Sequence, residues 1–171
     1  MSKRQLVEFL NELKRAELKE QVIDLYQRFK DVKEFYDFSF NPKEGRAFDL
    51  AKQKIGKEYF PDTNRRAKKR RSVAQKQIVH LQKLEADPVR IADLMLFNLD
   101  IAQTYLEEDS IKQEAFYKSM LNSFRNALVF ISKQHLKSEF EDRINRIIKR
   151  TKEQTWYNHE GFIQALDLLQ D

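Results

Sequence analysis

The sequence predicts an all-α protein. Apolar residues recur at intervals of three and four along most of the chain, which places them on one face of successive helices. The 171 residues include only three glycines and three prolines, and no alternating apolar-polar run is long enough for a sheet. We therefore expect one domain, residues 1–171, folded as a compact bundle of about seven to eight helices. A short α-solenoid of helical hairpins is the alternative, although no repeat of about 30–40 residues is visible.

The composition excludes several classes of protein. Cysteine is absent, so the chain has no disulfides, thiolate metal sites or thiol chemistry. No apolar run approaches the ~20 residues that a membrane span needs, and the first residues do not resemble a signal peptide. The hydrophobic share of 41% is sufficient for a folded core. We therefore expect a cytoplasmic protein that does not associate with membranes.

The N-terminal helices are marked by a cap and by apolar stripes. Ser2 and Gln5 have the spacing of a capping box, which predicts that the first helix begins there. A second helix is predicted from about Leu18 to Tyr36. Aromatic residues then alternate with other residues, which favours a short extended connector at Tyr36, Phe38 and Phe40.

The third predicted helix lies between two proline signals. Asn41-Pro42 is a typical helix start. Phe60-Pro61 is a typical end, because the residue before proline avoids α-helical dihedral angles. Gly56 lowers the helix propensity of this stretch, and we therefore expect a close helix crossing at Gly56.

The C-terminal part contains further start signals. Residues that can act as N-caps precede each apolar stripe: Ser72 with Gln75, Asp87 with Pro88, Ser110 with Gln113, Ser138 with Glu141, and Asn158. The helix from Pro88 to about Leu106 is apolar around most of its circumference, so we expect it to be central and buried. Asn98 within it would then need a hydrogen-bonding partner. Trp156 and Tyr157 are expected to anchor the last helix by core packing, although if exposed they would form a hot spot for a protein partner.

The most concentrated charge lies at residues 65–71, Arg-Arg-Ala-Lys-Lys-Arg-Arg, which we call the basic segment. Its six cations account for the basic balance, because the formal net charge of +5 falls to −1 without them. Such dense charge would point to every side of a helix, so the segment cannot pack into the core. We expect it to protrude as a loop or an exposed helical turn. Its candidate binding residues are Arg65, Arg66, Lys68, Lys69, Arg70 and Arg71.

Phosphate is the ligand that suits the basic segment best. The segment precedes a predicted helix start, where arginine side chains and helix N–H groups can meet one anion. It contains no aromatic residue for base stacking, which favours phosphate contact over base recognition. The simpler alternatives are a solvated surface or ion pairs with acidic residues such as Glu107, Glu108 and Asp109.

The sequence offers little for catalysis or metal binding. Asp93 and Asp100 lie two turns apart on one helical face and could flank a substrate or a metal ion. Ion pairs with Arg90 or with the basic segment are the simpler interpretation. The three histidines are scattered without metal-binding spacing. We predict no catalytic, cofactor-binding or metal-binding residues, and nothing in the sequence argues for an enzyme.

Five short runs carry a family resemblance: Phe-Asn-Pro-Lys-Glu at 40–44, Glu-Tyr-Phe-Pro at 58–61, Arg-Arg-Ser-Val-Ala-Gln-Lys at 70–76, Ile-Ala-Asp-Leu-Met at 91–95, and Phe-Tyr-Lys-Ser-Met at 116–120. They resemble a family of small all-helical bacterial proteins classed as a domain of unknown function. The resemblance covers Ser2 to about Ile131 and implies a stand-alone bacterial cytoplasmic protein. It supplies no catalytic residues.

Together these patterns favour a non-enzymatic binding module. We expect it to contact nucleic acid or another polyanion through the basic segment. The alternative is a protein–protein interaction or scaffold domain with no nucleic-acid role, in which the segment binds an acidic protein partner or only solvent. The oligomeric state is left open by the sequence.

Overall fold

The secondary structure is all helical, as the sequence predicts. A computed structural model describes residues 2–40, 43–62 and 65–169, and within these ranges there are nine α-helices, one 3₁₀ helix and no strand. The number of α-helices is slightly higher than the predicted seven to eight. No helix in the described ranges is long and apolar enough to cross a membrane. The chain divides into two units, Met1–Lys43 and Glu44–Asp171.

The first unit contains three helices, α1 (Lys3–Glu12), α2 (Arg15–Arg28) and α3 (Lys30–Phe40). The predicted capping box at Ser2 is confirmed, because the Gln5 backbone N–H donates to Ser2 Oγ and the Ser2 backbone N–H donates to Gln5 Oε1. Helices α2 and α3 pack against each other, and the Tyr26 hydroxyl donates a 2.8 Å hydrogen bond to Asp37. None of the residues in these three helices is buried.

Two predictions in this unit are wrong. The helix expected from Leu18 to Tyr36 is interrupted at Phe29, whose backbone is extended with φ −112° and ψ 116°. The expected extended connector at Tyr36, Phe38 and Phe40 is instead helical. Helical spacing brings the rings of Tyr36 and Phe40 into a stacked contact at 6.1 Å between centroids, which an extended strand would not do. The predicted start at Asn41-Pro42 lies outside the described residues.

The second unit is organised around a central helix. Its elements are α4 (Glu44–Tyr59), α5 (Arg71–Lys83), α6 (Pro88–Glu108), α7 (Glu114–Lys133), α8 (Lys137–Glu153), α9 (His159–Gln164) and the 3₁₀ helix Ala165–Leu169. Helix α6 packs against α4, α5, α7 and α8, and its side chains at Leu94, Leu96 and Leu99 are completely buried. The prediction of a central, buried helix is therefore confirmed.

Helix starts in this unit follow the sequence only in part. Asp87 caps α6 by accepting from the Val89 N–H at 2.9 Å, and α9 begins after Asn158, as predicted. The caps predicted at Ser72, Ser110 and Ser138 are wrong, because the helices begin at Arg71, Glu114 and Lys137. Ser72 and Ser138 lie inside the first turn, and Ser110 lies in a non-helical stretch before α7.

Three helix ends share one geometry that lacks glycine. Two residues after the last residue of α5, α7 and α8 comes a residue at positive φ: Glu85 at 55°, His135 at 57° and Thr155 at 52°. In each case the next residue donates a backbone hydrogen bond to the carbonyl five residues earlier, for example Leu136 N–H to Ile131 O at 3.0 Å. This is the Schellman motif, in which glycine usually occupies the left-handed position. The residue that closes each motif is buried: Ala86, Leu136 and Trp156.

The close crossing expected at Gly56 is also wrong. A Cβ atom at Gly56 would meet no heavy atom within 4 Å. The tight approach is instead at Gly161 in α9, where a Cβ would lie 2.7 Å from Leu121 Cδ2 of α7. Trp156 is buried and its ring contacts those of Tyr117 and Phe162, so its predicted anchoring role is confirmed. The core packing predicted for Tyr157 is wrong, because that residue is 54% exposed.

Candidate functional site

The basic segment connects α4 to α5. Residues 65–70 are non-helical, and Arg71 is the first residue of α5. The segment therefore forms a loop on the surface of the second unit, as the charge density predicts. The α4 helix ends at Tyr59, directly before the predicted Phe60-Pro61 stop.

Glu58 in the last turn of α4 holds this loop. Its carboxylate accepts from Arg70 Nε at 2.9 Å, from Arg70 Nη2 at 2.7 Å and from the Arg70 backbone N–H at 3.2 Å. The Glu58 carbonyl also accepts from the Lys69 backbone N–H at 2.9 Å. Glu58 is only 8% exposed, so it is a nearly buried carboxylate neutralised by one arginine. The Arg70 side chain and the backbone of the loop are therefore both hydrogen-bonded to Glu58 of α4.

The ion pair shifts the pKa values of both partners. The hydrogen bond from Arg70 lowers the pKa of Glu58 despite the opposing effect of burial. The hydrogen bond to Glu58 in turn raises the pKa of Arg70. Both groups therefore remain charged at neutral pH, and the charge of Arg70 is compensated within the protein.

Lys69 is fixed against α6. Its backbone has φ 53°, and its ammonium lies 5.0 Å from the centre of the Tyr105 ring and 3.5 Å from the Tyr105 hydroxyl. The Tyr105 hydroxyl donates to Asp109, and this hydrogen bond lowers the pKa of Asp109, with a second contribution from the Ser110 N–H. Lys69 thus lies beside an aromatic ring and a nearby carboxylate.

The six predicted binding residues fall into two groups. Lys69, Arg70 and Arg71 contact α6, α4 and α7 respectively, the last through a 3.0 Å hydrogen bond from Arg71 Nε to Ser123 Oγ. The side chains of Arg65, Arg66 and Lys68 are exposed and make no hydrogen bond or ion pair with another described residue. This second group presents its charge to solvent.

The acidic partners differ from those expected. Glu107 pairs with Arg150 of α8 at 2.7 Å, and Asp109 is engaged by Tyr105 and Ser110. The principal partner is Glu58, which the sequence interpretation missed. Its position was a signal, because it falls on the same face of α4 as the buried Ala51 and Ile55. A carboxylate on an apolar face requires a charged partner.

Asp93 and Asp100 form an ion-pair network that joins α6 to α8. Arg143 donates to Asp93 through Nη1 at 2.5 Å and to Asp100 through Nε at 2.8 Å, and Lys52 of α4 lies 2.6 Å from Asp93. Burial raises the pKa of Asp93, but hydrogen bonds from Lys52 and Arg143 outweigh this and keep that pKa below its usual value. The predicted ion pairing is correct, but the partner is neither Arg90 nor the basic segment. Arg90 instead lies 3.9 Å from Glu44.

The three histidines differ in their surroundings. His80 and His135 are exposed, whereas His159 is hydrogen-bonded to Thr151 at 2.8 Å. Within the described ranges, no group of three or more histidine, aspartate or glutamate side chains is placed to hold a metal ion.

The fold and the site therefore define an all-helical protein with an anchored cationic loop. The chain belongs to a family of unknown function, DUF6155, whose pattern matches residues 1–170. The family resemblance inferred from the five short runs is thus confirmed and extends over almost the whole chain. Neither a curated protein nor a solved structure matches the chain.

Proposed function

We propose that this protein is a non-enzymatic binding module that contacts nucleic acid or another polyanion through the basic segment. The observation that carries this proposal is the separation of roles within the segment. Lys69 and Arg70 attach the loop to α6 and α4, while Arg65, Arg66 and Lys68 extend into solvent. An anchored loop loses less conformational entropy when it binds than a mobile one.

The proposal predicts fewer phosphate contacts, and so a weaker salt dependence of binding, than the six cations in the sequence suggest. Six phosphate contacts on duplex DNA would give a log–log salt slope of about −5. Glu58 compensates the charge of Arg70, and neighbouring helices hold Lys69 and Arg71. The other three cations of the segment are therefore expected to contact phosphates. Their slope is about −3 on a duplex and about −2 on a single strand.

Binding to fluorescein-labelled oligonucleotides tests this directly. Fluorescence anisotropy would be measured across a salt series with the wild-type protein and with the triple variant Arg65→Gln, Arg66→Gln, Lys68→Gln. We expect the triple variant to lose binding. A matched control, Lys133→Gln with Lys137→Gln and Lys152→Gln, removes the same charge from exposed positions on α7 and α8 and should bind like the wild type. Equal weakening by both triple variants would show that only net charge matters and would contradict the proposal.

The alternative is a protein-interaction or scaffold function, and one feature of the first unit favours it. Large apolar side chains are exposed there, including Phe9 at 43%, Ile23 at 55% and Phe29 at 53%. Exposed apolar groups of this kind are common at protein interfaces. Under this alternative the basic segment binds an acidic protein, so a polyglutamate peptide would bind at least as well as an oligonucleotide of equal charge.

We further propose that residues 1–171 act as one cytoplasmic domain and that the helices of the second unit form a bundle rather than a solenoid. The packing of four helices around α6 supports the bundle, and the absence of cysteine is compatible with a reducing compartment. A single cooperative unfolding transition is expected for one domain, and two separate transitions in thermal unfolding would contradict it.

A further inference from the structure

Helix α2 of the first unit carries an apolar stripe, made of Leu18, Val22, Leu25 and Phe29. These residues follow one another at intervals of four, three and four, so they lie along one side of the helix, with Phe29 directly after its last turn. Val22, Leu25 and Phe29 are 42%, 43% and 53% exposed. The stripe is therefore largely open to solvent.

Helix α3 packs on a different side of α2. The contact is made by Tyr26, whose ring lies 6.4 Å from that of Tyr36 and whose hydroxyl donates to Asp37. Tyr26 is the residue after Leu25 and therefore lies about 100° around the helix from it. The hairpin of α2 and α3 thus leaves the apolar stripe uncovered.

The first unit needs apolar packing that its own helices do not supply. Among the described residues of α1, α2 and α3, which are 10, 14 and 11 residues long, none is buried. Helices of this length are only marginally stable in water by themselves, and most of their stability comes from packing of an apolar face. An apolar partner on the stripe would supply that packing.

The spacing of the apolar stripe suits a second copy of the same helix. Its intervals of four, three and four residues read the same in both directions. An antiparallel copy of α2 therefore places Val22 opposite Leu25, and Leu18 opposite Phe29, so that every apolar residue meets another. A two-fold interface between identical chains requires this kind of self-complementary surface.

The charge of the first unit also favours a second copy. Residues 2–40 contain eight lysine and arginine side chains and eight aspartate and glutamate side chains, so this stretch is neutral although the whole chain carries +5. A strongly acidic or basic protein gains no net attraction from a neutral surface, whereas two neutral copies do not repel each other.

We propose that the first unit is the interface of a homodimer, in which the apolar stripes of two copies pack against each other. The partner of this surface is thus a second copy of the chain rather than a different protein. The proposal does not depend on polyanion binding, because the basic segment lies in the second unit.

Gel filtration coupled to light scattering tests the proposal on the full chain. The wild type is expected to have twice the 20.6 kDa mass of one chain and to approach that single mass on dilution. The double variant Val22→Glu, Leu25→Glu places carboxylates on both stripes and should have the mass of one chain. A matched control, Val79→Glu with Leu50→Glu, changes the same residue types at 36% and 45% exposure in the second unit and should remain dimeric.

Three results would overturn the proposal. A wild type with the mass of one chain throughout the concentration series would leave the stripe to a different protein. A stripe variant that remains dimeric would place the interface elsewhere. Equal dissociation of the stripe variant and the control would show that added negative charge, and not the stripe, separates the chains.

A milder variant keeps the test decisive if the glutamates unfold the first unit. Val22→Ala with Leu25→Ala shortens the stripe while it retains a high helix propensity, and circular dichroism would verify the helix content. The loss of apolar contacts from both copies should raise the dimer dissociation constant more than about tenfold in sedimentation equilibrium. An unchanged dissociation constant would contradict packing through the stripe.

Discussion

Removal of the Glu58 carboxylate is the sharpest test of how the basic segment is held. Glu58→Gln keeps the size of the side chain but removes the charge that Arg70 pairs with and weakens three hydrogen bonds at 2.7–3.2 Å. Hydrogen bonds to a charged, nearly buried group contribute about 1.5–3 kcal/mol, and solvent around the half-exposed Arg70 side chain reduces this. We expect Glu58→Gln to lower the free energy of unfolding by about 1–2 kcal/mol and the melting temperature by about 3–6 °C.

Two measurements report on this change at different levels. Thermal unfolding followed by circular dichroism gives the global effect. Amide hydrogen exchange gives the local effect, because the Arg70 N–H donates to the Glu58 carboxylate and the adjacent Lys69 N–H donates to the Glu58 backbone carbonyl. The exchange of these two amides should be faster in Glu58→Gln. Glu114→Gln is the matched control, because its surface pair with Lys118 should contribute only about 0.3–0.5 kcal/mol.

The difference in melting temperature between wild type and Glu58→Gln is expected to decrease as the pH falls. Arg70 lowers the pKa of folded Glu58 below its ordinary value of about 4.5, so the ion pair stabilises the protein above that pH. The stabilisation is lost as the pH falls through the lowered pKa. The gap in melting temperature between wild type and Glu58→Gln should therefore be full at neutral pH and narrow below about pH 4. A gap that is absent at neutral pH, with unchanged exchange at Lys69 and Arg70, would refute the anchoring role.

Two further variants test other parts of the fold. Glycine at position 135 relieves the left-handed strain of the native residue, so His135→Gly should raise the free energy of unfolding by about 0.5–1 kcal/mol in chemical denaturation. Lys133→Gly, at the last residue of α7, should lower the free energy of unfolding. A loss of stability in both variants would contradict the interpretation. Arg143→Met removes the guanidinium that joins α6 to α8 and should destabilise the protein by about 1–2 kcal/mol. It should also raise the pKa of Asp93 toward its ordinary value in an NMR titration, whereas an unchanged pKa would assign the lowering to Lys52 alone.

Features that depend on local spacing could be predicted from the sequence. The capping box at Ser2, the start at Asp87-Pro88 and the burial of α6 follow from residues that are close together in the chain, and all three are confirmed. The basic segment is likewise exposed for a local reason, since six charges in seven residues leave no apolar face.

Features that depend on distant contacts could not be predicted in the same way. The start of α5 at Arg71 is associated with the attachment of Lys69 and Arg70 to Glu58, and Ser72 therefore lies within the helix rather than at its cap. The partner of Asp93 and Asp100 lies on α8, more than 40 residues away in sequence. Helix ends without glycine carry no local marker, so their exact positions were not visible in the pattern.

The three glycine-free helix ends have a consequence for how this chain can be rebuilt. Three triplets follow the same backbone path: Leu84-Glu85-Ala86, Gln134-His135-Leu136 and Gln154-Thr155-Trp156. In each, the middle residue has left-handed dihedral angles and the third residue is buried. The middle position of each triplet is exposed at the surface, while the third must fit its own core, and Leu84 in the first triplet is buried as well. The middle position of each triplet is therefore the one at which a substitution is expected to leave the packing of the two joined helices unchanged.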